Sequence, residues 1–159
     1  MITFSDSHNH RRAVTSTVRL ISITLVVVAL LLSATPARAQ SLTDADKMHI
    51  RDIVEAQLNA FKADDAALAY SFASPAIQAK AGSPTAFMAM VRSSYEPVYR
   101  PRAVFFQNIT MMNGVPAQRV LLMDQNGAPV LAVYPMERQP DGSWRINGCM
   151  LYKGDAQML

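Results

Sequence analysis

The side chains able to do chemistry are few, and most stand alone. The 159 residues contain one cysteine, Cys149, and three histidines. His8 and His10 precede the body of the chain, so His49 is its one imidazole. A Ser-His-Asp relay needs a histidine beside its nucleophile, and His49 falls at the start of a helical pattern, where a solvated helix residue is the plain reading. One Cys and one His cannot close a zinc site of four N/S ligands. Asp124-Gln125-Asn126-Gly127 opens like a calcium loop, but Pro135 stands where the bidentate Glu belongs, so it reads as a turn. The methionines could offer soft ligands to copper. Their spread over core-facing positions of helix and strand patterns suits packing instead. The sequence therefore assigns no catalytic residue, no metal site and no cofactor.

Binding chemistry is better represented. Arg92, Tyr95, Tyr99, Arg100 and Arg102 fall within eleven residues, and guanidinium groups match carboxylates in a bidentate way. Phe87, Val91 and Tyr95 recur every four residues on one helix face. Arg92 is one step, ~100°, round from Val91, at the border of that face. A border arginine lays its methylenes on the core and aims its head at a partner. The structural alternative is an ion pair with Glu96, four residues on. Tyr134 and Trp144 are aromatic candidates for the same pocket, with core packing as their plainer role. The expected ligand contacts are thus Arg92, Tyr95, Tyr134 and Trp144. Cys149 is expected to be buried and inert, on the strand face opposite Trp144 by alternation.

These residues must be positioned by helices followed by strands. Thr43 and the acids Asp44 and Asp46 suit a helix start. Ile50, Ile53, Val54, Leu58 and Phe61 then form one apolar stripe, predicting a helix over 43–62. Asp64 is the expected cap of a short second helix carrying Leu68 and Phe72, which stops near Ser74 because Pro75 disfavours helical geometry before it. Ser83-Pro84 starts another helix, and Pro97 is expected to end it. From residue 103 the period changes. Four apolar runs, 103–111, 117–123, 130–136 and 144–152, are separated by Asn113-Gly114, Asp124-Gln125-Asn126-Gly127 and Gln139-Pro140-Asp141-Gly142. That is hairpin chemistry, predicting an antiparallel meander. Pro135 inside the third run predicts a bulge or a sheet edge. The fold class is α+β, with helices packed in a curved antiparallel sheet of four to six strands.

Charge and hydropathy divide the chain. Residues 40–159 carry eleven basic and eleven acidic side chains, which cancel. A globally basic nucleic-acid binder is excluded, and a lone cysteine excludes a disulfide scaffold. Before residue 40 lie three arginines, then the apolar run LISITLVVVALLL over 20–32, then Ala37-Arg38-Ala39. This is the order of a secretory signal peptide over 1–39, cleaved between Ala39 and Gln40. Thirteen helical residues reach ~20 Å, short of the ~30 Å bilayer core. A membrane contact is expected only through the uncleaved signal. The remainder, 40–159, is expected to be one α+β domain, periplasmic or secreted.

Several segments are recognisable together, in order: Gln57-Leu58-Asn59-Ala60-Phe61-Lys62-Ala63-Asp64-Asp65, Phe72-Ala73-Ser74-Pro75-Ala76-Ile77-Gln78, Phe87-Met88-Ala89-Met90-Val91-Arg92, Tyr95-Glu96-Pro97-Val98-Tyr99-Arg100-Pro101 and Asp141-Gly142-Ser143-Trp144-Arg145-Ile146-Asn147-Gly148-Cys149. With these segments the chain resembles a bacterial exported family, domain-of-unknown-function family 4864. The resemblance implies a cone-shaped α+β barrel like nuclear transport factor 2, with a pocket between helices and sheet, and a sheet face that many members of that superfamily use to form homodimers. Enzymes of that superfamily carry an Asp or His base on the pocket wall. Here Asp124 and Asp141 fall in turns. The expected function is a non-catalytic module binding a small molecule or a protein in the pocket. The alternative is a small isomerase- or hydrolase-type enzyme using the same pocket.

Overall fold

The computed structural model describes residues 42–153, so the signal-peptide reading of 1–39 lies outside the described residues. Helix α1 spans Asp44–Lys62, and its start is a capping box. The Thr43 hydroxyl accepts from the Asp46 N–H at 3.1 Å while the Asp46 carboxylate accepts from the Thr43 N–H at 3.1 Å. The predicted stripe is the buried face: Ile50, Val54, Leu58 and Phe61 are all in the core. The helix ends in a Schellman motif. The Asp65 N–H donates to Ala60 O at 2.9 Å and the Asp64 N–H to Phe61 O at 3.2 Å. Asp64 holds the position usually given to glycine, at φ 58°. Because Asp64 is consumed in reversing the chain, it does not cap the next helix. Asp65 does, accepting from the Leu68 N–H at 2.9 Å. This corrects the expected cap by one residue.

Helix α2 is Ala66–Ser71. Chain regularity then resumes where none was expected: α3 spans Pro75–Ala81, with Ser74 as cap and Pro75 in the first turn. Helix α4 spans Pro84–Ser94, capped by Ser83 as predicted. A single turn, α5, spans Glu96–Tyr99. Pro97 lies in the first turn of α5 and does not stop α4 directly.

The five strands form one antiparallel sheet, in the order β1-β2-β3-β4 with β5 also on β3. They are β1 Ala103–Met112, β2 Val115–Met123, β3 Pro129–Arg138, β4 Trp144–Ile146 and β5 Met150–Lys153. The β1–β2 turn uses positive φ at Asn113 (51°) and Gly114 (80°), the tight hairpin its sequence predicts. The single run expected over 144–152 is two strands lying end to end along β3. Met136 pairs with Ile146 and Val133 with Met150, so residues 147–149 oppose only residues 134–135. One extra residue is a bulge, and it sits opposite Pro135, which predicted a bulge or an edge. The edge alternative fails: β3 is central and pairs on both sides. The opposite edge of β4 is covered by the α2–α3 junction, where the Ile146 N–H donates to Phe72 O at 2.9 Å and the Ser74 N–H to Ile146 O at 2.8 Å.

The main core lies between the helices and one face of the curved sheet. Alternation puts Val120, Leu122, Ala132 and Tyr134 on this face. A smaller apolar cluster of Ala117, Leu131, Val133, Met112 and Met150 lies on the other. The methionines divide. Met88 and Met136 are buried, but Met48, Met90 and Met111 are exposed, so packing does not account for all of them.

Candidate functional site

A cavity of about 210 Å³ opens between the helices and the inner face of the sheet. Helix α1 supplies Gln57 and Phe61, α3 supplies Ile77 and Lys80, and α4 supplies Phe87 and Val91. Tyr95 and Val98 come from the α4–α5 region, Tyr134 from β3, and Ile146, Gly148 and Cys149 from β4 and the bulge. The elements over it are tied together. The Gln57 amide donates to Ala69 O at 3.0 Å, joining α1 to α2. The Tyr70 hydroxyl donates to Gln78 O at 2.8 Å, and the Gln78 amide donates back to Tyr70 O at 3.0 Å, joining α2 to α3.

The inner wall carries two polar groups. Tyr134 is 1 % exposed, and its hydroxyl is buried with no hydrogen-bond partner. Burial pushes its pKa well above the ordinary phenol value, with the neighbouring Cys149 thiol adding to the rise. Burial likewise pushes Cys149 up to about 12. Both groups are therefore neutral at physiological pH, and the thiol is not activated as a nucleophile. Cys149 corrects the alternation expected of it. The bulge inserts one residue between Ile146 and Met150, which rotates Cys149 and Leu151 onto the same core face as Trp144.

Of the four expected contacts, the structure brings Tyr95 and Tyr134 together in the cavity lining. Arg92 and Trp144 lie elsewhere. The Arg92 guanidinium donates to Asp64 at 2.6 Å, and not to Glu96, the ion-pair partner named as the structural alternative. Tyr99 and Arg100 also donate to the Asp64 carboxylate. Arg92 and Arg100 each lie 5.1 Å from the Tyr99 ring centroid. The Tyr99 hydroxyl, then the Arg92 guanidinium, hold Asp64 below the usual carboxylate range. Trp144 is buried near the start of α1, where its Nε1 donates to Asp46 Oδ1 at 3.0 Å. The Thr43 hydroxyl first, and the Trp144 N–H second, lower Asp46 to about 2.

Gln57, Lys80 and Cys149 belong to the cavity and were not expected there. Gln57 had a readable signal: it lies four residues before Phe61, on the same buried face. Lys80 had none, because the helix carrying it was not expected. His49 is exposed on α1. Asp124 shapes its turn by accepting from the Asn126 and Ala128 N–H groups, both at 2.8 Å. Among the described residues no group of three or more His, Cys, Asp or Glu side chains is placed to hold a metal. Nor is any described helix long and apolar enough to cross a membrane.

Comparison with known proteins gives one match. The family described as a domain of unknown function (DUF4864) matches residues 43–159. No curated protein and no solved structure matches the chain. The family match takes in every described helix and strand, together with the whole lining of the cavity, and the chain belongs to the DUF4864 family.

Proposed function

We propose that this protein is a non-catalytic binding module that takes a small, mainly apolar molecule into the cavity under α3 and α4. The observation that carries this reading is the cavity itself, about 210 Å³ between the helices and the inner face of the sheet, lined mainly by aliphatic and aromatic side chains. Among the described residues the lining contains no Asp, Glu or His. That weighs for binding over isomerase or hydrolase chemistry, which needs a general acid or base. The cavity fits the cone-shaped arrangement of nuclear transport factor 2-like proteins. The pattern over 1–39 supports export, with the mature module working in the periplasm or outside the cell.

Thermal unfolding with 2-octanone as probe tests the binding reading. A saturable rise in Tm is expected, since a ligand that binds only the folded state stabilises it. Ala81→Phe, which fills the cavity, should abolish the rise while leaving the circular dichroism spectrum unchanged. The absence of any saturable rise in the wild type would overturn the reading.

A second reading, a homodimer through the sheet, is supported by one observation. Register aligns Phe105, Leu121, Leu131 and Tyr152 in a row on the sheet face away from the helices. Phe105 is 55 % and Tyr152 41 % exposed. Sedimentation at two protomer masses, reduced to one by Phe105→Glu, would support this reading. A single protomer mass at all concentrations would refute it.

A further inference from the structure

The sheet guards its edges unevenly. The outer edge of β4 is covered by the α2–α3 junction, and β5 is four residues long and ends in Lys153. Strand β1 is ten residues long, carries no charged side chain, and among the described residues pairs with β2 alone. Edge strands usually carry a charge or a proline that discourages pairing with another chain. Here Val104 is 38 % and Met111 58 % exposed. The main-chain groups facing the free edge follow from the hairpin. A two-residue turn closes on a pair that exchanges both N–H···O bonds, here Met112 with Val115. Alternation then turns the N–H and C=O of Met111 and Ile109 outward, and Pro116, opposite Met111, needs no N–H on that side. A bulge between Phe106 and Ile109 inserts one residue. Beyond it, Phe106 and Val104 are the outward residues. All four place their side chains on the face of the sheet toward the helices, by their register with Pro116, Gln118, Val120 and Leu122.

We infer that this edge pairs with the same edge of a second copy, the two β1 strands running antiparallel about a two-fold axis between Gln107 and Asn108. About that axis Val104 meets the partner's Met111, and Phe106 meets the partner's Ile109. Each is an outward residue meeting an outward residue, with both side chains on the same face. Phe105 and Thr110, whose main chains face β2 and whose side chains lie on the other face, meet likewise. The bulge selects the occupant. The outward residues 104, 106, 109 and 111 are spaced by two, three and two, so an unbroken strand in phase on one side of the bulge is out of phase on the other. A strand with the same bulge at the axis is in phase on both sides, and a second copy supplies it. Ten residues at ~3.4 Å give an edge of ~34 Å, which across a sheet ~10 Å thick covers ~340 Å² on each copy. That is under half of the ~800 Å² a side of a standard interface, so the dimer is weak and concentration-dependent. It uses the edge of the sheet, not the face row of Phe105, Leu121, Leu131 and Tyr152, and the two dimers are separable by experiment.

The full chain is expressed with its own leader and used in the form the host delivers. Sedimentation velocity from ~10 µM to ~1 mM should show the mean mass rising from one protomer toward two. Amide hydrogen exchange by NMR at both ends of that range reads the surface used. The Val104, Phe106, Ile109 and Met111 amides, which face the free edge in the monomer, should slow about fivefold at the high end for a Kd of ~0.1 mM, where about one chain in five is still monomeric. The Phe105, Thr110 and Met112 amides, already bonded to β2, should be protected throughout. Met111→Pro removes one outward donor, and Val104→Lys puts a charge on the edge. Neither touches the ladder to β2, and an unchanged circular dichroism spectrum confirms the fold. Each variant should hold the mass at one protomer across the range, and Val104→Lys alone decides if the proline variant does not fold. One protomer mass at every concentration overturns the inference. So does a dimer that persists in Val104→Lys, or one whose four edge amides exchange as fast as in the monomer, and a dimer of that kind abolished by Phe105→Glu belongs to the sheet face instead.

Discussion

Replacing Tyr134 by Phe should make the ligand-free protein more stable, against the usual direction for a buried tyrosine. A buried hydroxyl that donates a hydrogen bond contributes about 1 kcal/mol, and its removal normally costs that much. Here the hydroxyl has no partner, while the ring is 1 % exposed and packed in the core. An unsatisfied buried polar group costs the fold about 1–3 kcal/mol. Phenylalanine keeps the ring, adds no atoms and leaves a gap of one oxygen, which returns a small part of the gain through lost packing. The net expectation is a stabilisation of about 1 kcal/mol. For a domain of this size that raises Tm by about 3–6 °C. Urea unfolding followed by circular dichroism measures it, with an unchanged m-value confirming that the native and unfolded states are otherwise alike. A loss of 1 kcal/mol or more would mean that the hydroxyl is satisfied in solution by its neighbour, the Cys149 thiol.

Other perturbations test the surroundings of the site. Trp144→Ala should cost roughly 3–5 kcal/mol, as expected for a buried aromatic, and a small melting shift would refute its place in the core. The Thr43 and Trp144 hydrogen bonds lower Asp46 to about 2 in the fold, below the ordinary aspartate value of 3.8 that applies when unfolded. Its contribution to stability is therefore complete above the unfolded value and is lost as pH falls from there through about 2. Trp144 is the only tryptophan, so its emission should follow that loss, and Asp46→Asn should remove the part of the acid dependence that the emission reports, leaving the part due to Asp44, Asp64 and Asp141, which are also lowered in the fold. Cys149 is half-buried, not fully buried as expected, but its thiol pKa is raised to about 12, so it should react slowly with a maleimide until denaturant is added, and rapid stoichiometric labelling of the folded protein would contradict that. Gly148 sits at φ 149°, so Gly148→Ala should cost about 1–3 kcal/mol in urea unfolding, and a neutral result would mean that the bulge relaxes.

What the sequence made legible was local. The Thr43 start and the Ile50–Phe61 stripe specify α1 from within one segment, and Asn113-Gly114 specifies its hairpin from two residues. Ser83-Pro84 announces α4, and Ser74-Pro75 carries the same signal for α3, although the proline there reads equally as a stop to what precedes it. Asp64 and Asp65 are chemically equal as caps, and only the reversal of the chain after α1 chooses between them. Arg92 and Glu96 satisfy the helical ion-pair spacing, yet Arg92 pairs with Asp64, 28 residues earlier in the chain, at 2.6 Å. Spacing along one helix gives the neighbours a side chain has without tertiary structure. It says nothing of a carboxylate delivered by another element.

The cavity was half legible for the same reason. Tyr95 and Tyr134 were expected contacts, each an amphipathic side chain on an apolar face. Cys149 was placed on the wrong face because alternation is a rule of unbroken strands. One inserted residue between Ile146 and Met150 reverses the parity of all that follows. Without it, Cys149 and Leu151 would face away from the helices, and Met150 would face the core. With it, Cys149 stands beside Tyr134 in the wall of the cavity, while Asn147, released from the strand pattern, accepts from the buried Ser74 hydroxyl at 2.8 Å. Pro135 is the residue opposite, and it has no N–H to leave unpaired at the interruption. The bulge thus does two things at once. It lets a proline occupy a central strand without an orphaned donor, and it moves a polar side chain to the inner wall of the cavity. The same local irregularity that broke the strand reading is what builds the polar end of the site.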